Sequence, residues 1–234
     1  MIDLGSTEFL IRVQSLPEKD FELYSSWLFD EWEASVERAL SIPDYYISLV
    51  IEEGSISGRA KIAAVAGAIY MGVANYGGFV SGLQTIHSQV KYVNSLLFEN
   101  AKAPFDCTKS NVKVKNSGGA ISSLNSLFRK VQKGVLTVEE AMFQVMKIFG
   151  EEGENVPGFV EQLERELNNL PRYPKQLSFI DADVYECEEL VGDIKADRPS
   201  RERSPKPIPV SQQYRIEIWR ESKKSKKQVK FSRN

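Results

Sequence analysis

Twenty-two consecutive uncharged residues, IAAVAGAIYMGVANYGGFVSGL at 62–83, constrain this chain more than any other feature. At 1.5 Å per residue they span about 33 Å as one helix, enough to cross a bilayer. Ala64, Ala68 and Gly72 fall four apart, as do Ala74, Gly78 and Gly82, so each trio would line one face of such a helix. A face of small residues lets a second backbone approach closely. Glycine costs about 1 kcal/mol relative to alanine inside a helix. The five glycines at 67, 72, 77, 78 and 82 therefore need close packing, or a membrane, to offset that loss. Three outcomes stay open: a helix buried in protein or joining copies of the chain, a membrane-inserting segment, and a break at Gly77-Gly78 that leaves two short helices.

On either side the patterns are more ordinary. Phe9, Ile11 and Val13 alternate with Leu10, Arg12 and Gln14, the period of a strand with one covered face. Ser15-Leu16-Pro17-Glu18 has the form of a capping box opening a helix to about Leu40, with Phe21, Tyr24, Leu28, Trp32 and Val36 on its apolar face. Tyr45 to Glu52 and Ile56 to Lys61 read as strands joined by a turn at Gly54. That turn explains GSISGRAK at 54–61, whose spacing does not match a phosphate-binding loop. Residues 84–101 continue as a helix with Ile86, Val90, Val93 and Leu97 inward, and His87, the sole histidine, at the edge of the core.

The lysine-bearing stretch 103–119 breaks the pattern and is the expected boundary. Helices are expected over 120–132, from a second capping box at Thr137-Val-Glu-Glu140 through Phe149, and over 157–170. The last two are acidic, which disfavours a DNA-reading helix there. The expected fold is α+β: a small antiparallel N-terminal sheet packed on a long helix, a glycine-rich central helix, a C-terminal helical module and a basic tail. Its divisions are an α+β domain at 1–102, a linker at 103–119, the helical module at 120–185, and an acidic-to-basic linker and tail at 186–234 with a possible short strand at Tyr214 to Trp219.

The net charge of -2 conceals a division. Residues 198–234 hold twelve Lys and Arg against three acids, and the preceding chain is correspondingly acidic. Lys223, Lys224, Lys226, Lys227 and Lys230 form the candidate anion-binding tail, with Trp219 and Phe231 available for stacking. The partner of that charge is a nucleic acid, an anionic membrane or the protein's own acidic body. Asp181, Asp183, Glu186, Glu188 and Glu189 lack the glycine turns of a cation loop and read as solvated acids. Cys107 and Cys187 read as two reduced thiols, and the start MIDLGSTEFLIRV is unlike an export signal. With one His, two distant Cys and no nucleophile, zinc or nucleotide motif, the expectation is a non-enzymatic protein without cofactor or metal.

ISLVIEEGSISGRAKI followed by GAIYMGVANYGGFVSGL resembles small standalone proteins of bacterial genomes and prophages, some linked to phage interference. It is also similar to the strand-then-glycine-rich-helix arrangement of some defence-associated effectors. The resemblance covers residues 45–100 and rests on glycines and aromatics, so it transfers no functional residue. It implies a cytoplasmic bacterial or phage setting and a phage-exclusion or defence role exerted by binding a protein partner and self-associating. Two alternatives stand beside it: a membrane-inserting effector at the inner membrane, acting through 62–83, and a single-stranded nucleic-acid accessory protein using the basic tail.

Overall fold

The computed structural model describes residues 1–76, 78–105, 111–172 and 214–233. Both cysteines, the acids at 181–189 and the expected linker and tail from 186 to 213 lie outside the described residues.

The N-terminal third folds as its patterns predict. Strand β1 (Ile2–Ile11) is followed by helix α1 (Glu18–Ala39), which buries Phe21, Leu28, Phe29, Trp32 and Val36. Strands β2 (Tyr46–Glu52) and β3 (Ile56–Ala64) form an antiparallel hairpin whose turn holds Gly54 at φ 107°, a conformation that favours glycine. The capping box expected at Ser15–Glu18 does not form. The Ser15 hydroxyl donates to Glu53 instead, Glu18 receives Arg233, and Pro17 stands at the helix N-cap. At Thr137–Glu140 both reciprocal bonds are present, at 2.9 and 3.2 Å.

Residues 62–83 are not one helix. Ile62 to Ala64 finish β3, helix α2 (Ala66–Ala74) is short, and helix α3 (Phe79–Lys102) starts after Gly78. Gly78 is extended as the N-cap of α3, and β3 extends because Ile2 and Asp3 of β1 pair with Ala64 and Ala63. Among the described residues no helix is long and apolar enough to cross a membrane.

The remaining elements are β4 (Val112–Ser117), α4 (Gly119–Gln132), α5 (Val138–Glu154, kinked at Gly150), α6 (Phe159–Asn169), β5 (Tyr214–Arg220) and β6 (Gln228–Arg233). They complete a single six-stranded antiparallel sheet in the order β4-β1-β3-β2-β5-β6. Within the expected boundary at 103–119, Val112–Ser117 form an edge strand. The short strand expected at Tyr214 to Trp219 is β5, and β6 pairs with it in a hairpin that extends the sheet beyond β2.

One apolar core joins all these parts. Phe9, Ile11, Ile47, Leu49, Ile51, Ile62, Ile216 and Ile218 line the inner face of the sheet beneath the helices. Burial of that area is the main stabilising contribution. The expected separate helical module is tied into the same core by an aromatic cluster. Phe159 of α6 sits 5.7 Å from Tyr70, 6.0 Å from Phe79 and 5.1 Å from Phe149 between ring centroids.

Candidate functional site

The small residues of 62–83 serve a contact within the chain. Ala64 and Ala68 are buried in the core. A Cβ on Gly72 would lie 3.2 Å from an Ile42 side-chain carbon, and one on Gly82 would lie 2.6 Å from the Val73 carbonyl oxygen. Gly82 thus lets α3 cross α2 at backbone distance. Ala74 and Gly78 are exposed at the end of α2 and the start of α3, so neither expected trio shares a helix face.

Among the described residues, three C-terminal cations are matched by acids of helix α1. Arg220 pairs with Glu33, Lys227 with Asp30 at 2.5 Å and Arg233 with Glu18 at 2.5 Å, all three acids lying on α1. Lys223 to Lys227 form the turn between β5 and β6, with the Lys223 amide donating to Asp44 and its ammonium 6.0 Å from the Tyr45 ring. Of the five candidate lysines, Lys230 alone lies within a strand, facing away from the helices.

The opposite, outward face of the sheet is a grid fixed by strand register. One row reads Ser117, Ser6, Lys61, Ser48, Trp219 and Gln228. The next reads Lys115, Glu8, Arg59, Val50, Glu217 and Lys230, and the third Lys113, Leu10, Ser57, Glu52, Arg215 and Ser232. None of these residues is buried. Residues directly opposite share a face, so the six side chains of each row lie side by side.

Electrostatically the grid is cationic. Arg59 reaches Glu8 at 3.0 Å, and Arg215 reaches Glu52 at 3.6 Å and Glu217 at 2.6 Å, so two arginines match the three carboxylates. Lys61, Lys113, Lys115 and Lys230 form no ion pair among the described residues. Lys115 and Lys230 end one row, about 24 Å apart across five strand spacings. Trp219 stands next to Ser48 on the same face and is partly exposed. A shallow groove crosses the β4 side of this face, lined by Glu8, Leu10, Arg59, Lys113, Lys115 and Arg215. Hydroxyls, free ammonium groups and an aromatic ring on one open sheet face can hold a polyanion and stack its bases. Sequence reading singled out Lys230 and Trp219, but it missed Lys61, Lys113 and Lys115. The alternation of VKVKNS was the available signal.

Among the described residues no group of His, Cys, Asp and Glu is arranged to hold a metal ion. Comparison with protein-family models, with curated proteins and with solved structures found no match for this chain.

Proposed function

We propose that this is a non-enzymatic binding protein that holds a single strand of nucleic acid across the outward face of its sheet. The observation that carries this reading is the set of four unpaired lysines, Lys61, Lys113, Lys115 and Lys230, sharing one open face with Trp219. Phosphates on the lysines supply affinity, and a base on Trp219 adds about 1–3 kcal/mol without demanding a sequence. Sheet faces are suited to this because alternate side chains project from one face at fixed spacing. The phage-exclusion setting implied by the resemblance belongs to the same proposal, as a role exerted through binding. Self-association through 62–83 is not carried forward, because Ala64, Ala68, Gly72 and Gly82 are packed inside the chain.

Fluorescence anisotropy with a labelled oligo-dT of about ten nucleotides tests the reading at low salt. Trp219→Ala is expected to weaken binding about tenfold while leaving the fold intact, since the ring contributes to no buried contact of the core. Binding of the parent protein that is absent at low salt, or unaltered by that substitution, would remove the proposal. Retention of a protein rather than the oligonucleotide would return the partner to the protein class.

A further inference from the structure

Strand β4 ends one side of the sheet, and β1 is its sole strand partner among the described residues. The Arg12 amide donates to the Asn111 carbonyl at 2.9 Å, continuing the register in which Ile11 stands opposite Val112. Bonding alternates along an antiparallel pair, so Lys113, Lys115 and Ser117 likewise turn their backbone groups toward β1. Val112, Val114 and Asn116 turn theirs to the outer edge, where N–H and C=O groups stand open to a further strand.

The two faces of this edge differ in chemistry. Val112 and Val114 lie opposite Ile11 and Phe9 and so face the helix side, yet Val114 is 44% exposed. Phe98 of α3 packs on the same Phe9, with ring centroids 6.5 Å apart, and is itself only partly buried. Lys113 and Lys115 stand on the outward face and form no ion pair among the described residues. At the opposite edge of the sheet, by contrast, Lys227 and Arg233 are tied to Asp30 and Glu18 of α1.

An added antiparallel strand sets apolar side chains against Val112 and Val114. Its intervening residues oppose Lys113 and Lys115 at the non-hydrogen-bonded positions, where cross-strand side chains come closest. A second copy of β4 does not satisfy that pattern. In the register of fullest overlap, Lys113 of each copy falls directly opposite Lys115 of the other, and like charges so placed are destabilising. Carboxylates at those positions meet the free ammonium groups instead.

We propose that the β4 edge binds an extended acidic peptide of a partner protein by strand addition, with Asp or Glu at alternate positions against Lys113 and Lys115 and apolar residues between them. Backbone bonds to Val112, Val114 and Asn116 supply affinity, and the two lysines select the sequence. Both lysines also lie on the oligonucleotide face, but the inference does not depend on that reading.

Calorimetric titration of the full chain with a capped peptide of about nine residues, alternating Val and Asp, tests the edge against a reference peptide alternating Val and Lys. The expected result is saturable binding of the acidic peptide with Kd below about 1 mM, and binding of the basic one weaker by about tenfold or more. Val114→Pro removes an outward amide without touching the ladder to β1, and is expected to weaken the acidic peptide about tenfold with the melting temperature retained. N-methylation of the peptide's valines removes the amides that face β4 while leaving the protein unaltered, and is expected to abolish binding. Lys113→Glu/Lys115→Glu should exchange the preference, so that the basic peptide binds more tightly than the acidic one. Failure of the acidic peptide to saturate, equal affinity for the two peptides, or binding unchanged by N-methylation overturns the proposal.

Discussion

Arg220 and Glu33 form an ion pair between the inner side of β5 and helix α1, with both side chains largely shielded from solvent. Arg220 also donates to the carbonyls of Lys223 and Ser225, so one guanidinium closes the turn before β6 and fastens the hairpin to the body. Removing it leaves a partly buried carboxylate and loosens the turn. Arg220→Ala is expected to cost about 2 kcal/mol, between the values for exposed and fully buried pairs. Urea denaturation checks this, and a double-mutant cycle with Glu33→Gln should return a coupling of about 1 kcal/mol.

The glycines of the central segment should respond with opposite signs. Gly82→Ala drives a methyl onto the Val73 carbonyl and is expected to destabilise by about 2 kcal/mol. Gly67→Ala meets nothing closer than Val156 at 3.8 Å within helix α2, and is expected to stabilise by about 0.5 kcal/mol. Melting temperatures of the two variants should therefore move to either side of the parent.

Thr137 caps α5 through the amide of Glu140, and Glu140 returns the bond. Thr137→Ala is expected to cost about 1 kcal/mol by chemical denaturation.

His87 links stability to pH. Burial, reinforced by Lys91 and Arg129, holds its pKa below the usual histidine value. The unfolded chain therefore binds the proton more readily than the folded one, and stability falls as pH drops through the unfolded-state value toward the folded one. Above that window the group contributes no slope. Urea midpoints measured from about pH 7.5 down to 5.5 should decline in the parent, and His87→Gln should show a shallower decline.

Local order was legible wherever one short stretch carries its own signal. The apolar period of Phe21 to Val36, the β-branched run at 46–52 and the capping pair Thr137 and Glu140 each appear where the residues placed them. What escaped depends on partners distant in the chain. VKVKNS and QVKFSR are polar enough to pass for loops, and become strands because β1 and β5 offer unpaired edges. Lys113, Lys115 and Lys230 thereby stand on the outward face of the sheet. Ala63 and Ala64 carry no strand signal of their own, and only pairing with β1 and β2 draws them into β3. The surroundings of His87 are tertiary throughout, since Gly5 brings β1 against Val90 of α3, Gly119 brings α4 against Asp3 of β1, and a Cβ on Gly118 would lie 3.0 Å from the His87 ring.

The most direct test of the open face as a nucleic-acid surface is the salt dependence of oligo-dT binding, compared between the parent and Lys113→Glu/Lys115→Glu. Four phosphate contacts predict a slope of about -3 in log K against log salt, and losing two of them should reduce it by about 1.4. Both lysines are exposed on an edge strand, so the variant should keep the parent's fold. A slope near zero in the parent, or the same slope in both proteins, would contradict the account.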